Sequence, residues 1–427
     1  MKYSVITFGC RVNQADSLGF EEELRAGGAT CDIPDRADIV IVNTCSVTAS
    51  ADQSARQTVR RLARTNPRAK VVVTGCYATR RPEEFRDAPN VLRVVANDEK
   101  PALVTLLATD FGLTSAQRFG DGDGSCGADI EPGVAGRTAF TLRVQTGCSQ
   151  PCSYCIIPAT RGQPRSAPIT EILTHIAGAV AAGFKEIALT GVHLGSYGRD
   201  LVPPSSLIEL LRAIGGRAGR GELPVRFRIS SLEPMDCSRE IVDLVTAGDS
   251  FAGHFHLPLQ HASTRLLTAM RRPYTVEDYA ALVDGIRARM LDASIGSDII
   301  VGFPGERDED FEALCGYLAH SPLTHLHVFP YSDRPGTEAS SMSGKVPGGV
   351  IRARAARVRD IGHRLTSAFR QRQLGTIQRA LTIGDGAVAV TGNYLKVRIA
   401  PGRDRNEWVR VKITESGESM SGQVLET

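Results

Sequence analysis

The sequence predicts an α/β protein in three parts: an N-terminal parallel α/β unit, a central partial barrel of six βα repeats, and a small antiparallel β-barrel at the C-terminus. Three observations carry this. Short apolar runs alternate with helix-period segments over the first hundred residues and again for about two hundred residues from position 138, the pattern of parallel strands covered by crossover helices. Between the two stretches, 113–137 loses any sustained period and reads as an interdomain linker. Beyond about 340 a basic helix gives way to short β-prone runs separated by Gly, Asp and Asn turns, the spacing of a small antiparallel barrel of the kind often used on nucleic acids.

In order, the expected strands of the first unit are Tyr3–Phe8, Asp38–Asn43, Lys70–Thr74 and Val91–Val95, with helices over 15–27, 50–65 and 82–87. The central strands are Thr141–Gln145, Glu186–Thr190, Val225–Ser230, His254–Leu259, Ile295–Val301 and His325–Phe329, with helices such as Thr170–Ala182 and Val276–Met290 between them. A barrel of this type places its active site at the carboxyl ends of its strands. The last runs are Arg379–Thr382, Ala387–Thr391, Leu395–Ile399 and Trp408–Ile413. The division that follows is 1–112, a linker at 113–137, 138–365 and 366–427. The GDGDG run within the linker lacks both the Lys-Ser/Thr of a phosphate loop and the distal Glu of a calcium loop.

A chain of 427 residues has room for two to four domains, and 42% hydrophobic with 23% charged residues excludes disordered, collagen-like and coiled-coil classes. No apolar run approaches the roughly 18 residues that span a bilayer. The opening apolar run breaks into Arg11, Asn13, Gln14 and Asp16, so a secretory leader is not expected and a cytoplasmic address is. Net charge is only +3, but 54–70 holds five Arg and one Lys without an acid, and 351–380 holds eight Arg against Asp360. Solvated helix faces and phosphate-binding faces both remain open for these segments. Ten Cys in a reducing compartment are thiols, which points to metal or redox chemistry.

Cys148, Cys152 and Cys155 lie in GCSQPCSYC, directly after the first central strand. Zinc sites favour paired C-x2-C knuckles with a fourth ligand. Three thiolates on one tight loop instead suit three irons of a cubane, leaving the fourth iron open to an outside ligand. Cys10, Cys45 and Cys76 are far apart, yet each ends an apolar strand, in VITFGC, IVIVNTC and VVVTGC. In a parallel sheet the carboxyl ends share one edge, so a second three-thiolate cluster site is expected there, against the alternative of three separately buried thiols. Cys31, Cys126, Cys237 and Cys315 have no such placement. His254 and His256 face one side of a strand with His261 nearby. A hydrogen-bonded interior role is expected for them, since no carboxylate or third His stands at metal spacing in the sequence. His193, just past the second strand, is placed to reach a cofactor or substrate, though its spacing does not require it.

The C-x3-C-x2-C loop resembles that of the radical S-adenosylmethionine superfamily over about 138–340. The resemblance implies a central barrel of radical SAM type, with a [4Fe-4S] cluster that chelates S-adenosyl-L-methionine and cleaves it to a 5′-deoxyadenosyl radical. By position it implies that Tyr154 lies near the adenine, that backbone near Thr190 and Gly191 meets the methionine amine where the superfamily has Gly-Gly-Glu, and that Ser230 and Gly302, in DIIVGFPGE, line the cofactor. With the second trio and the β-rich end, nearly the whole chain resembles the methylthiotransferases, which insert sulfur into an unactivated C–H bond and methylate it. That resemblance implies two [4Fe-4S] clusters, an auxiliary one on Cys10, Cys45 and Cys76 and the radical-generating one on Cys148, Cys152 and Cys155, and a TRAM-like RNA-binding C-terminal barrel. No catalytic residue is assigned beyond these ligands. A reducing electron donor and a sulfur source are implied as partners.

Within the family, GCRVNQADS (9–17), NTCSVTASADQSARQTVRR (43–61), TGCYA (74–78), TGVHLGSYG (190–198), RISSLEP (228–234) and HVFPYSDRPGT (327–337) resemble the branch acting on N6-threonylcarbamoyladenosine at position 37 of tRNA. The isopentenyladenosine branch usually carries Gln-Met-Asn in the first motif and the ribosomal-protein branch Pro-Lys-Asn. Gln260-His261-Ala262 departs from the family's Gln-Ser-Gly. Carbon 2 of adenine has neither an acidic hydrogen nor a leaving group, so a radical route suits it, and an anticodon stem-loop presents its base already in a single strand. Two other classes fit the thiols less completely. An electron-transfer iron–sulfur protein leaves the two barrels without purpose, and a zinc-containing RNA-binding module requires closed four-ligand sites.

Overall fold

A computed structural model of the chain describes residues 1–111 and 138–425, so the linker expected at 113–137 lies outside the described residues. The first unit is a parallel sheet of β1 (Lys2–Thr7), β2 (Thr30–Cys31), β3 (Ile39–Thr44), β4 (Lys70–Gly75) and β5 (Val91–Val95) in the order β2-β1-β3-β4-β5. Alternation along the strands covers both faces. Ile39, Ile41 and Val72 pack with Phe20 and Leu24 of α1 (Arg11–Ala26) and with Leu103 and Leu107. Val40, Val42, Val71 and Val73 pack on the other side with Ala55, Val59 and Leu62 of α2 (Ala49–Thr65). Helix α1 starts at Arg11 and not at 15. Its first turns bury Asn13 and Asp16, so they lack the apolar period that marks a helix in sequence.

The central unit comprises β6 (Phe140–Arg143), β7 (Gln145–Thr146), β8 (Arg165–Ser166), β9 (Glu186–Thr190), β10 (Arg226–Ile229), β11 (His254–His256), β12 (Ser294–Val301) and β13 (His325–Pro330). Six of these form a partial barrel as two parallel three-stranded sheets, β10-β9-β6 and β11-β12-β13, joined by a parallel bridge between Phe227 and Phe251. The expected strand Thr141–Gln145 breaks at Val144, after which β7 pairs with β8 in a ribbon around the cysteine loop. The expected strand His254–Leu259 pairs regularly only to His256, and Pro258 beyond it has no N–H to donate.

The chain ends in a closed barrel of β14 (Ile377–Ile383), β15 (Val388–Thr391), β16 (Lys396–Arg398), β17 (Trp408–Glu415) and β18 (Met420–Leu425), ordered β14-β15-β16-β18-β17. The expectation of a purely antiparallel barrel of four runs is corrected on two points. A fifth strand, MSGQVL, carries too few apolar residues to be read as one, and it closes the barrel through a parallel pair with β16. The helix Gly348–Arg372 runs unbroken across position 365 and joins this barrel to the central unit.

A buried clamp fixes the two barrels together. Glu186 on β9 accepts from Arg226 Nη2 at 2.6 Å and Arg228 Nε at 3.1 Å. Those guanidiniums also donate to the carbonyls of Val390 at 3.2 Å and Gly392 at 3.1 Å. Arg226 stacks on Trp408 and Arg228 on Tyr394.

Candidate functional site

Cys10, Cys45 and Cys76 follow β1, β3 and β4, which are adjacent in the sheet. Neighbouring parallel strands lie about 4.8 Å apart, so three residues distant in sequence meet at one edge. Two glycines make the approach possible. A Cβ on Gly9 would sit 2.4 Å from Cys45 Sγ, and one on Gly75 would sit 2.2 Å from the Thr44 carbonyl, and both have the positive φ that glycine tolerates.

Cations and N–H donors face these sulfurs. Val47 N–H donates to Cys45 Sγ at 3.4 Å and Asn97 Nδ2 to Cys76 Sγ at 3.6 Å. Burial raises the Cys76 thiol, but the Arg161 and Lys100 cations outweigh it and its net shift is downward. Burial, beside Cys10 and Cys76, pushes Cys45 up to about 12. Asp16, fully buried, anchors the cations: Lys100 Nζ donates to it at 2.8 Å, Arg161 Nη2 at 3.3 Å, and Arg143 pairs with it as well.

The second trio sits on the loop between β7 and the short helix Ile157–Arg161. Gly147 permits its entry, since a Cβ there would meet the Gln163 carbonyl at 1.9 Å. Gln150 N–H donates to Cys148 Sγ at 3.4 Å and Arg272 Nη1 to Cys152 Sγ at 3.0 Å, while Arg272 also pairs with Glu233. Burial pushes Cys155 up to about 12. The helix that leaves this loop carries Arg161 to the first trio, and Asn97 Nδ2 donates to its Thr160 carbonyl at 2.8 Å. One short segment therefore links both cysteine sets.

The donor set fits a cubane better than a single ion. Each trio offers three sulfurs, enough for three irons of a cubane with the fourth left open, whereas a structural zinc takes four protein ligands. Thiolate-favouring cations and N–H···S bonds are the features that tune iron–sulfur sites.

All three parts of the chain wall one cavity of about 1110 Å³. The first unit supplies Cys10, Arg11 and Cys45, the central barrel Thr190, Gly191 and Ser230, and the C-terminal barrel Tyr394, Lys396 and Arg398. Of the residues expected around a cofactor, Thr190, Gly191 and Ser230 are on this wall. Tyr154 instead packs among Leu266, Met270, Ile300 and Phe303. Gly302 lies under the long helix, where a Cβ would meet Ile351 at 2.4 Å, and its N–H donates to Glu306 at 2.6 Å.

The histidine expectation is corrected in part. His256 and His327 flank Asp298 of β12, with His256 Nε2 and His327 Nδ1 at 3.0 and 3.2 Å from its Oδ1. The three ligand atoms lie within 4.8 Å of one another, so a carboxylate and a further His do stand at metal spacing, and the set could hold a divalent cation. Register brings them together: β12 lies between β11 and β13, which no local motif reveals. Burial raises the Asp298 carboxyl, yet the two imidazoles hold it at about 2. His261 is fully buried below the cavity, its Nδ1 accepting from Ser263 N–H at 3.0 Å, so the departure at 260–262 alters packing and not the cavity wall. His193 is turned away onto Asp236 at 2.8 Å.

The basic segments divide. Arg354 pairs internally with Glu306 and Asp308, and Arg357 with Glu312. Arg60, Arg61, Arg64 and Arg68 remain exposed. Arg161, Lys100, Arg272 and Tyr394 lie outside the quoted motifs, and Asp16, Glu233 and Asp298 lie within them without a role assigned by the sequence.

Residues 2–97 match the uncharacterized protein family UPF0004 and residues 142–318 the Radical SAM superfamily. The chain is 34% identical to the threonylcarbamoyladenosine tRNA methylthiotransferase MtaB of Aquifex aeolicus, over 97% of this chain and 100% of that protein. It is 32% identical to the Bacillus subtilis protein of the same name, over 96% and 93%. It is also 32% identical to the tRNA-2-methylthio-N(6)-dimethylallyladenosine synthase of Xanthomonas campestris pv. campestris, over 99% and 91%. Among solved structures, the radical S-adenosylmethionine methyltransferase TsrM of Kitasatospora setae superimposes with a TM-score of 0.56 at 16% identity, covering 79% of this chain and 76% of that one. That likeness concerns the fold.

Proposed function

This chain belongs to the radical S-adenosylmethionine tRNA methylthiotransferase family, and from that premise we propose that it converts N6-threonylcarbamoyladenosine at position 37 of tRNA to its 2-methylthio derivative. The observation that carries the reading is the single cavity onto which Cys10 and Cys45, the barrel mouth and the C-terminal barrel all open. It slightly exceeds the roughly 300–1,000 Å³ of ordinary small-molecule sites, so it has room for a cofactor and a nucleoside side by side.

Cys148, Cys152 and Cys155 would hold the radical-generating [4Fe-4S] cluster, and Cys10, Cys45 and Cys76 the auxiliary one. When bound, the clusters and S-adenosyl-L-methionine supply a radical able to act on an unactivated C–H bond, together with sulfur and methyl transfer. The chain's own residues position and insulate. Arg272 favours the Cys152 sulfur as thiolate, Arg161 and Lys100 do the same for Cys76, and Asp16 holds both cations in place. Thr190, Gly191 and Ser230 line the side nearest the barrel strands.

In this reading 1–112 carries the auxiliary site, 138–365 the radical SAM core and 366–427 a TRAM-like RNA-binding barrel. An anticodon stem-loop is the docking partner, and its base enters the cavity out of a single-stranded loop at low unstacking cost. Lys396 and Arg398 are exposed at the rim, where phosphates pass. The reaction also draws on a reducing electron donor and a sulfur source. No described helix is long and apolar enough to cross a membrane, and the proposed address, with tRNA as substrate, is the cytoplasm.

Nucleoside mass spectrometry of tRNA from cells with and without the protein tests the reading. Loss of the methylthio form of threonylcarbamoyladenosine is expected. Loss of the methylthio form of isopentenyladenosine in its place would overturn the substrate assignment.

A further inference from the structure

One cation lies deep in the cavity beside the strand-end cysteines. Arg11 follows Cys10 and lines the interior. Its Nη2 donates to the Tyr394 hydroxyl at 3.1 Å, its Nη1 lies 3.4 Å from Ser230 Oγ, and its guanidinium is 5.6 Å from the Tyr394 ring centre. Among the described residues no carboxylate lies within ion-pair distance of it. Of the other charges on the wall, Arg161 pairs with Asp16 and Asp298 with His256 and His327, Arg370 donates to the Gly417 and Glu418 carbonyls, and Lys396 and Arg398 are exposed to solvent. Burial and the neighbouring Arg228 and Arg11 keep His254 neutral, and burial beside His327 and His256 brings His325 down to about 4. A half-buried guanidinium oriented by two hydroxyls suits an anion.

We propose that Arg11, with the Tyr394 and Ser230 hydroxyls, forms a carboxylate-binding subsite that reads the anionic N6 substituent of the target adenosine. This rests on the functional reading above and deepens it. N6 and C2 flank N1 on the same edge of adenine, so a carboxylate anchored one residue from Cys10 turns the C2 edge toward the strand-end trio. The guanidinium and a planar carboxylate match in geometry, and Tyr394 fixes the guanidinium from the opposite domain. A neutral alkyl substituent gives Arg11 no counter-ion, so the same contact rejects it. The shared chemistry is an anion, and three sources are possible: the N6 carboxylate, a backbone phosphate, and the carboxylate of S-adenosyl-L-methionine.

The test uses anaerobically reconstituted full-length protein and three anticodon stem-loops identical except at position 37, bearing threonylcarbamoyladenosine, isopentenyladenosine or adenosine. Arg11→Gln is expected to weaken binding of the threonylcarbamoyl RNA about 10- to 100-fold, the worth of one charged hydrogen-bond pair, and to leave the other two RNAs within twofold. Equal weakening of all three assigns Arg11 to phosphate and overturns the inference, as does a selective loss of S-adenosyl-L-methionine affinity. Iron per chain is measured in parallel. Should Arg11→Gln lose iron, Tyr394→Phe, which leaves the cysteine loops intact, carries the test, and an unchanged preference among the three RNAs overturns the inference. If wild-type protein itself does not modify threonylcarbamoyl RNA, the functional reading fails. If it does and the variants discriminate equally well, only the subsite fails.

Discussion

The Arg272 guanidinium donates to the sulfur of Cys152 at 3.0 Å while paired with the half-buried Glu233. A cation in that position favours the thiolate and adjusts how readily a bound cluster accepts an electron. Arg272→Gln is expected to slow S-adenosyl-L-methionine cleavage about 10- to 100-fold, the usual effect of losing a partner of a metal ligand. Arg272→Lys should restore part of it. Release of 5′-deoxyadenosine, read beside the cluster's midpoint potential, checks the assignment: a rate loss without a shift in potential would point to misfolding.

In the proposed function the two trios serve different steps. Cys152→Ala is expected to end cofactor cleavage, and Cys45→Ala to leave uncoupled cleavage while ending methylthiolation. Both are read by mass spectrometry of 5′-deoxyadenosine and of the modified nucleoside. Methylthio product from either variant contradicts the roles given.

Gly9→Ala probes the strand-end site without touching a ligand. Its Cβ would press on Cys45 Sγ at 2.4 Å from a backbone with φ of +88°. Iron content should fall from about eight to about four per chain, with cofactor cleavage retained. Full iron occupancy would show that the Cys10 loop does not need its close approach to Cys45.

The interdomain clamp has a pH signature. Burial raises the Glu186 carboxyl, but Arg228 and Arg226 overcome this and hold it at about 2. A depressed carboxyl contributes its full stability above its unfolded value of roughly 4.3 and loses it as pH falls through the folded value. Glu186→Gln strands two buried guanidiniums and should cost about 3–5 kcal/mol at neutral pH. In thermal melts, the gap between wild type and variant should stay level down to about pH 5 and narrow toward pH 2. A gap independent of acid would remove the ion pair from the account.

The positions legible in the sequence were those whose signal is local. VITFGC, IVIVNTC and VVVTGC each place a Cys at a strand end, and parallel topology alone gathers them, as the order β1-β3-β4 shows. GCSQPCSYC needed no topology at all. The supporting residues were illegible because their partners are remote: Arg272 is 120 positions from Cys152, and Arg161 is 145 from Asp16. Asp298 meets His256 and His327 only through the register of three strands. Asn13 and Asp16 hid the start of α1, since a buried polar face has no apolar period. The closing strand β18 was missed for a similar reason, its Ser, Gly and Gln masking a barrel edge.

Tyr394 belongs to the C-terminal barrel yet stacks on Arg228 and reaches Arg11, so the barrel proposed to grip RNA also walls the cavity. Under that proposal, affinity for the nucleic acid and choice of nucleoside share one module. Transplanting that module between relatives would exchange part of the chamber along with the grip, and neither property can drift in evolution without disturbing the other.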